Sequence, residues 1–538
     1  MRKFFIGSIT LAILSMTVFI AAQPQKDHVK VSVTLRDEAG ESVAGIIQVL
    51  GADGKSLEIP GLFARTTGLT KDMPGIHWYV VPKGGAEATL PRARLKLHAV
   101  SGLETALAQK ELDLTGKTPA SVAIDLAFLF RPEKSNLVAG NTHLHLRGFS
   151  LETADEYIRK IPAADGLRVL FISYLERDKD DLSYITNKYP IGDLPKLSVA
   201  GVLVNNGEEH RHNFLGYGQG YGHVMFLNIK QLVKPVSIGP GIAGGGFDDP
   251  ALRPGIDDAK KQGGTVIWCH NTNGFEDVPS AVTGRLDALN VFDGSRGGLY
   301  EDNYYRYLNI GLKMPISTGT DWFMYDFSRV YAEVLPSLAG RASDGPNDPS
   351  LARPTNDKLT IASWLDAVKA GRCQATNGPL LSLTVNGKKM GDVIDLKDVT
   401  TLKIEASAIG RHPSQKLQLI HNGKVIKTQL QRLEGHKVKL THEVRIDAPA
   451  WFAVRIDSEA KDEFNKKPFA HSSPVYVNFD GKGVFDVDAA QGLLKQVEEG
   501  HATISAKAKF SSPEAGKKLL AIYDQAGQIL RERINARK

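Results

Sequence analysis

The chain has 538 residues, 42% of them apolar and 23% charged, with a formal net charge of +6. That length predicts three or four domains of ~150 residues, and the composition is that of a globular protein. So small a charge on so long a chain excludes an electrostatic surface for nucleic acid or for a membrane. Two cysteines, Cys269 and Cys373, exclude a disulfide framework and are expected as free buried thiols.

Residues 1–22 have the pattern of a secretory signal: Arg2 and Lys3, an apolar run from Phe4 to Ala22, and a small-residue cleavage site at Ala21-Ala22-Gln23. A secreted or periplasmic protein is predicted. No later stretch reaches the ~20 apolar residues of a membrane span, so no stable membrane insertion is expected after cleavage.

Residues 23–133 read as an N-terminal β-sandwich. His28 to Leu35 alternates polar and apolar side chains, and further strands are predicted at Ile46–Leu50, Ile76–Val81 and Arg92–Ala99. Thr115-Gly116-Lys117-Thr118 imitates the end of a phosphate-binding loop, but Glu111 stands where that motif needs glycine.

Over 134–379 strands alternate with helices, the rhythm of an α/β layout. Strands are predicted at Leu167–Ile172, Val199–Val204, Thr265–Cys269, Ala288–Phe292 and Pro315–Thr320, and helices at Leu151–Ile161, Ile256–Gln262, Glu301–Ile310 and Thr355–Arg372. Gly239 to Gly244 matches G-x-G-x-x-G, but Asp248, Asp249 and Pro250 follow where a dinucleotide site needs a helix. No Gly-x-Ser-x-Gly elbow occurs, which disfavours a serine hydrolase. Residues 380–482 are again β, with hairpin signals at Asn386-Gly387 and Asn422-Gly423. Residues 483–538 return to helical periodicity. The expected fold is thus multidomain, α/β plus all-β, with a C-terminal helical segment.

Chemistry concentrates at predicted strand ends. His143 and His145, two apart, share a strand face and can share a cation. In Glu208-Glu209-His210-Arg211-His212, an unbroken strand would put Glu208, His210 and His212 on one face and Glu209 with Arg211 on the other. His223 follows a glycine-rich loop, and His270 and Asp321 end further strands. Imidazoles and carboxylates together suit zinc, manganese or iron rather than calcium or magnesium. A cation with an open position acidifies a bound water, which is hydrolytic chemistry.

Asn141-Thr142-His143-Leu144-His145, Gly207-Glu208-Glu209, Gly222-His223-Val224, Val266 to Asn271 and Ser317 to Asp321, in that order, resemble the polymerase-and-histidinol-phosphatase (PHP) metallohydrolases. The carbaryl-hydrolase-like CehA/McbA branch is the nearer match, and Ala367–Arg372 with Thr376–Pro379 resembles it too. The resemblance implies a distorted (β/α)7 barrel flanked by the two sandwiches, and metal-dependent hydrolysis of carboxylic, carbamic or phosphoric esters. It carries metal binding to His143, His145, His223, His270 and Asp321, and favours Glu209 over the Glu208 of the alternation argument. The sequence departs from the family where Thr-Asp-His would stand, reading Ile172 to Glu176, and where Asp321 is followed by Trp322 and Phe323. One or two ions are therefore expected rather than three, zinc first among the candidates.

A small-molecule substrate is expected. Asp321 or His212 would handle the proton, Arg211 or Arg329 would neutralise developing charge, and Asn271, Trp322, Arg329 and Tyr305 would line the substrate site. A second expectation, of another class, is a catalytically degenerate scaffold that binds a glycan or surface partner through its β domains.

Overall fold

The computed structural model describes residues 27–69, 77–116, 119–177, 184–215, 220–242, 245–270, 274–291, 300–335, 359–412, 415–430 and 435–537. The signal-like residues 1–22 lie outside them. The protein is mixed α/β and rich in strands. No helix among the described residues is long and apolar enough to cross a membrane.

Two four-stranded sheets form the N-terminal part. His28–Arg36 pairs antiparallel with Ser42–Val43 and Ala86–Pro91, and parallel with Ser121–Asp125. Gly45–Leu50 lies between Tyr79–Val81 and Arg94–Val100, and the latter pairs with Ala108–Asp113. Alternation sends Val31, Val33 and Leu35 from the first sheet, and Ile47, Val49, Leu95 and Leu97 from the second, into one core.

The central sheet carries the polar clusters. Leu137–Asn141, Val169–Tyr174 and Leu203–His212 run parallel. Gly222–Leu227 then runs antiparallel to Leu203–His212, and Thr265–Trp268 antiparallel to Gly222–Leu227. Ala288–Asn290 and Ile316–Ser317 continue the sheet in parallel. The reversal has a simple cause. Only nine residues, 213–221, join the two strands, too few for a helical crossover of at least a dozen. On the other flank Leu137–Asn141 pairs with Arg329–Glu333, and that strand with Cys373–Thr376. Ile316 and Cys373 bring the two ends of this path together, Cys373 Sγ lying 3.3 Å from the Ile316 carbonyl.

The predicted Val199–Val204 strand begins only at Leu203, because Ala200 and Gly201 take left-handed φ values of 52° and 78° and make a turn. The predicted 355–372 helix is Ile361–Lys369, started by a capping box between Thr360 and Ser363; residues 355–358 lie outside the described residues. Both cysteines are buried thiols outside any disulfide.

The C-terminal β part also has two layers. Leu380–Val385, Thr400–Ile409 and Lys437–Ile446 form one, while Gln415–His421, Ala450–Ser458, Phe469–Ser472 and Val475–Phe479 contribute to the other. Asn386-Gly387 and Asn422-Gly423 have positive φ at both positions, as a two-residue hairpin turn of that kind needs. Phe469–Ser472 also pairs with Cys373–Thr376, so this layer is continuous with the central sheet.

Hydrophobic cores cross the expected boundaries. Helices Val487–Lys507 and Pro513–Asn535 bury Leu493, Val497, Leu519, Tyr523 and Leu530 in the same core as Trp268, Leu289 and Ile316. Ile46, Trp78 and Val100 of the N-terminal sheets pack with Tyr157, Ile158 and Leu170. At that second junction the fully buried Arg65 donates to both carboxylate oxygens of Asp165, at 2.9 and 2.6 Å, and to the carbonyls of Met324 and Asp326.

Removing one partner of such a pair strands the other charge in the core. Arg65→Met is expected to destabilise the protein by about 3–5 kcal/mol in urea unfolding. A second outcome concerns pH. Glu276 accepts the backbone N–H groups of Leu252 and Arg253, and Asp277 accepts from Asn303 and Tyr307. Burial pushes both carboxyls up to about 7, above their ordinary 4.5 and 3.8. The native state therefore holds protons that the unfolded chain has released, and stability should fall as pH rises from about 4 to about 7. Glu276→Gln should flatten that slope when unfolding free energy is measured across the window.

Candidate metal centre

Leu137–Asn141, Val169–Tyr174, Leu203–His212, Thr265–Trp268, Ala288–Asn290 and Ile316–Ser317 all point their carboxyl ends to one side, and Gly222–Leu227 between them runs the other way. The reversed strand presents its amino end there. His143 and His145 lie just past the first strand, Glu209 near the end of the third, His223 at the start of the reversed strand, His270 past Thr265–Trp268 and Asp321 past Ile316–Ser317. The topology thus gathers these six side chains.

The gathering is close. Nε2 of His143 and Nε2 of His145 are 3.0 Å apart, and Glu209 Oε2 is 2.8 Å from the latter and 3.6 Å from the former. Asp321 Oδ1 lies 3.6 and 3.9 Å from the same two nitrogens. On the other side of the carboxylate, Glu209 Oε1 is 3.1 Å from His223 Nδ1 and 3.5 Å from His270 Nε2. Two overlapping groups, His143-His145-Glu209-Asp321 and Glu209-His223-His270, can each hold a metal ion. Donor atoms 2.0–2.1 Å from a tetrahedral zinc stand about 3.3 Å from one another, and the measured separations scatter around that value. Glu209 Oε1 and Asp321 Oδ1 are buried without a hydrogen-bond donor among the described residues. Buried carboxylate oxygens of that kind are costly unless a cation satisfies them.

Surrounding groups aim the ligands. His145 Nδ1 donates to the Ser173 carbonyl at 3.0 Å, which leaves the Nε2 lone pair facing the cluster. Asn141 accepts the His143 backbone N–H and donates to Thr320 at 2.9 Å. The N–H groups of Thr320 and Asp321 both donate to the His143 carbonyl at 3.0 Å, so the His143 and Asp321 segments are bonded together. Gly319 makes this approach feasible, since a Cβ there would stand 2.4 Å from His143 Cβ. His270 and Asp321 have φ of 67° and 62°, a left-handed conformation uncommon for such residues and concentrated at functional sites.

The electrostatics favour cation binding. Burial alone would raise the Glu209 carboxyl, but Arg211 first, and then the adjoining His143, His145 and His223 rings, hold it well below the ordinary carboxylate range. Burial, reinforced by Arg211, pushes His223 down to about 3, so at neutral pH it is an uncharged imidazole.

Several expected site residues are elsewhere. The Leu203–His212 strand runs unbroken, so alternation holds, but the cluster faces the Glu209 and Arg211 side. Glu208 turns away to His210 and the Val233 N–H, at 2.9 and 2.7 Å. His212 is fully buried, stacked on Tyr221 at 3.7 Å, accepting from the Tyr221 N–H and bonded to Asp248. Both its nitrogens are used, so it cannot pass protons at the cluster. Arg329 is buried with the carbonyls of Phe327 and Asp165 beside Glu104. Tyr305 bonds to His471 and packs on Trp451 in the C-terminal junction. Asn271 lies outside the described residues. Arg211 stays close, 3.6 Å from Glu209, and Trp322 lies beside His145 with ring centroids 4.9 Å apart.

Sequence reasoning missed Asn213, whose side chain meets His223 Nε2 at 3.1 Å, and the wall formed by Tyr184, stacked on Trp322 at 5.2 Å, with Arg147 over the Trp322 ring. Asn213 closes the Gly207–Asn213 cluster itself, where its polar side chain was a usable signal that was given no role. Nothing in the sequence links Tyr184 to Trp322.

No family model and no curated protein matches the chain. Among solved structures, the CARDB domain of a Pyrococcus furiosus protein is similar to part of it, at 17% identity and a TM-score of 0.13, covering 19% of this chain and 95% of that domain. A likeness that weak assigns neither fold nor chemistry.

Asn141 holds both ligand segments. Asn141→Ala should weaken zinc binding by about 10–100-fold, as loss of an outer-shell partner does, measured by competition with a chromophoric chelator.

Proposed function

We propose that the protein is an exported metal-dependent hydrolase of the PHP type, nearest the CehA/McbA branch, acting on a carboxylic, carbamic or phosphoric ester of a small molecule. On this reading the curled central sheet is a distorted (β/α)7 barrel, and the β parts flank it. The observation that carries the proposal is the convergence of four imidazoles and two carboxylates, contributed by five separate segments, on one sheet end, with His143, His145, Glu209 and Asp321 buried and His223 and His270 partly buried. His143, His145, Glu209 and Asp321 would hold one divalent transition metal, zinc in the first place, with manganese or iron as alternatives. Glu209, His223 and His270 would hold a second. A bound ion of this kind supplies Lewis acidity and a water with pKa near ~7.

The chain's own groups do the remainder. Asp321 takes the proton of the attacking water. The guanidinium of Arg211, fixed beside Glu209, faces the negative charge that develops on the ester oxygen. Tyr184 and Trp322 give the substrate an aromatic flank next to His145. Export rests on the signal-like residues 1–22.

A second reading, a degenerate scaffold that binds a glycan or surface partner, is supported by the missing Thr-Asp-His at Ile172–Glu176. Purified wild-type protein is expected to carry bound transition metal and to hydrolyse members of a panel of aryl esters, carbamates and phosphoesters. The His143→Ala/His145→Ala double variant should lose both. Wild-type protein devoid of metal and inert on the panel would favour the scaffold.

A further inference from the structure

We infer that Cys269 is an additional ligand at this centre, its sulfur grouped with His143 of the first proposed ion site and His270 of the second, and that it biases the centre towards thiophilic metals. The inference rests on the metal-centre reading above and extends its ligand set.

The donor atoms of His143, Cys269 and His270 lie within 4.8 Å of one another, the cysteine fully buried. Consecutive residues on a regular strand point to opposite faces, so Cys269 and His270 should not meet. The left-handed φ of 67° at His270 breaks that alternation just past the strand end and lets both side chains reach the same cluster. The Cys269 backbone is tied to the reversed strand through its N–H bond to the His223 carbonyl at 3.2 Å. One short segment is thereby held against His223 and offers two donors of different chemistry.

The second cysteine supplies the contrast. Cys373 is equally buried, but its sulfur sits against the Ile316 carbonyl and the Ser473 hydroxyl, at 3.3 and 3.2 Å, and is in none of the candidate ligand groups. It is an inert core thiol. Of the two, Cys269 is the one that stands among imidazole donors.

A cysteine coordinates as the thiolate, so its proton leaves to solvent when the ion enters, with no change of oxidation state. Sulfur is a soft ligand. Its presence favours zinc, cobalt and cadmium over manganese, which prefers oxygen donors. The carboxylates and imidazoles alone would discriminate less.

The full-length protein, stripped with a chelator and reloaded with Co(II), tests this by absorption. The expected result is a near-ultraviolet sulfur-to-cobalt charge-transfer band together with visible d–d bands. The charge-transfer band should be retained in Cys373→Ser and lost in Cys269→Ser, while the d–d bands persist in both. Stoichiometric cobalt binding without a charge-transfer band in the wild type, or a band that survives in Cys269→Ser, overturns the ligand assignment and leaves the metal centre standing. Failure of the wild type to bind cobalt at all overturns the metal centre and this inference with it. Should Cys269→Ser not fold, the cadmium-113 resonance of the loaded wild type decides. A shift in the sulfur-containing range supports the assignment, and one in the nitrogen-and-oxygen range overturns it.

Discussion

One carboxylate organises the polar heart of this molecule. Glu209 is buried, yet it has four imidazole nitrogens and a guanidinium nitrogen between 2.8 and 3.6 Å from its two oxygens. An isolated buried carboxylate would be prohibitively costly in an apolar core and would take up a proton. Here the surrounding cationic and hydrogen-bonding groups keep it ionised. Because its two oxygens face different histidines, the glutamate joins two donor groups into one cluster. Every other feature of the site, from strand direction to the bends at His270 and Asp321, serves to bring donors within reach of that group.

The sheet accomplishes this with one reversed strand. In an all-parallel arrangement a residue opening a strand would sit at the far end from residues closing the others. His223 opens its strand and still joins the cluster, because the strand runs backwards. The short connection after His212 forces the reversal, and His212 bonds to Asp248 and to Tyr221 at the far end of that connection. A histidine that resembles a ligand by sequence thus contributes by holding the two ends of the turn that brings His223 to the cluster. The same division of labour recurs at Asn141 and Ser173, which touch the ligands and not the place an ion would occupy.

Much of this was legible in the sequence. Strand-end histidines and the aspartate were found because polar residues interrupt apolar runs at His143, His270 and Asp321. Alternation separated Glu208 from Glu209 but favoured Glu208, which lies on the side away from the cluster. The reason is that both faces of Leu203–His212 are buried, so neither side reads as solvent and no amphipathic signal marks the inner one. Arg329 and Tyr305 were misplaced for a related reason. A buried arginine or tyrosine looks the same in sequence whether it meets a substrate or a neighbouring domain, and here both lie at junctions between parts of the chain. The C-terminal helices were recognised by periodicity, but their burial against the central sheet depends on contacts with residues some 200 positions away, such as Asn303 with Gln496.

Arg65 ties these themes together. It belongs to the N-terminal β part, yet its guanidinium grips the carbonyls of Met324 and Asp326, only a few residues beyond Asp321. Tyr157 holds the Met324 N–H from the opposite side. The leading sandwich is accordingly no detachable ornament. Cutting the chain between it and the central sheet would unlatch the very peptide that delivers an aspartate to the cluster, so a minimal fragment beginning near residue 134 should inherit the sheet and forfeit the geometry.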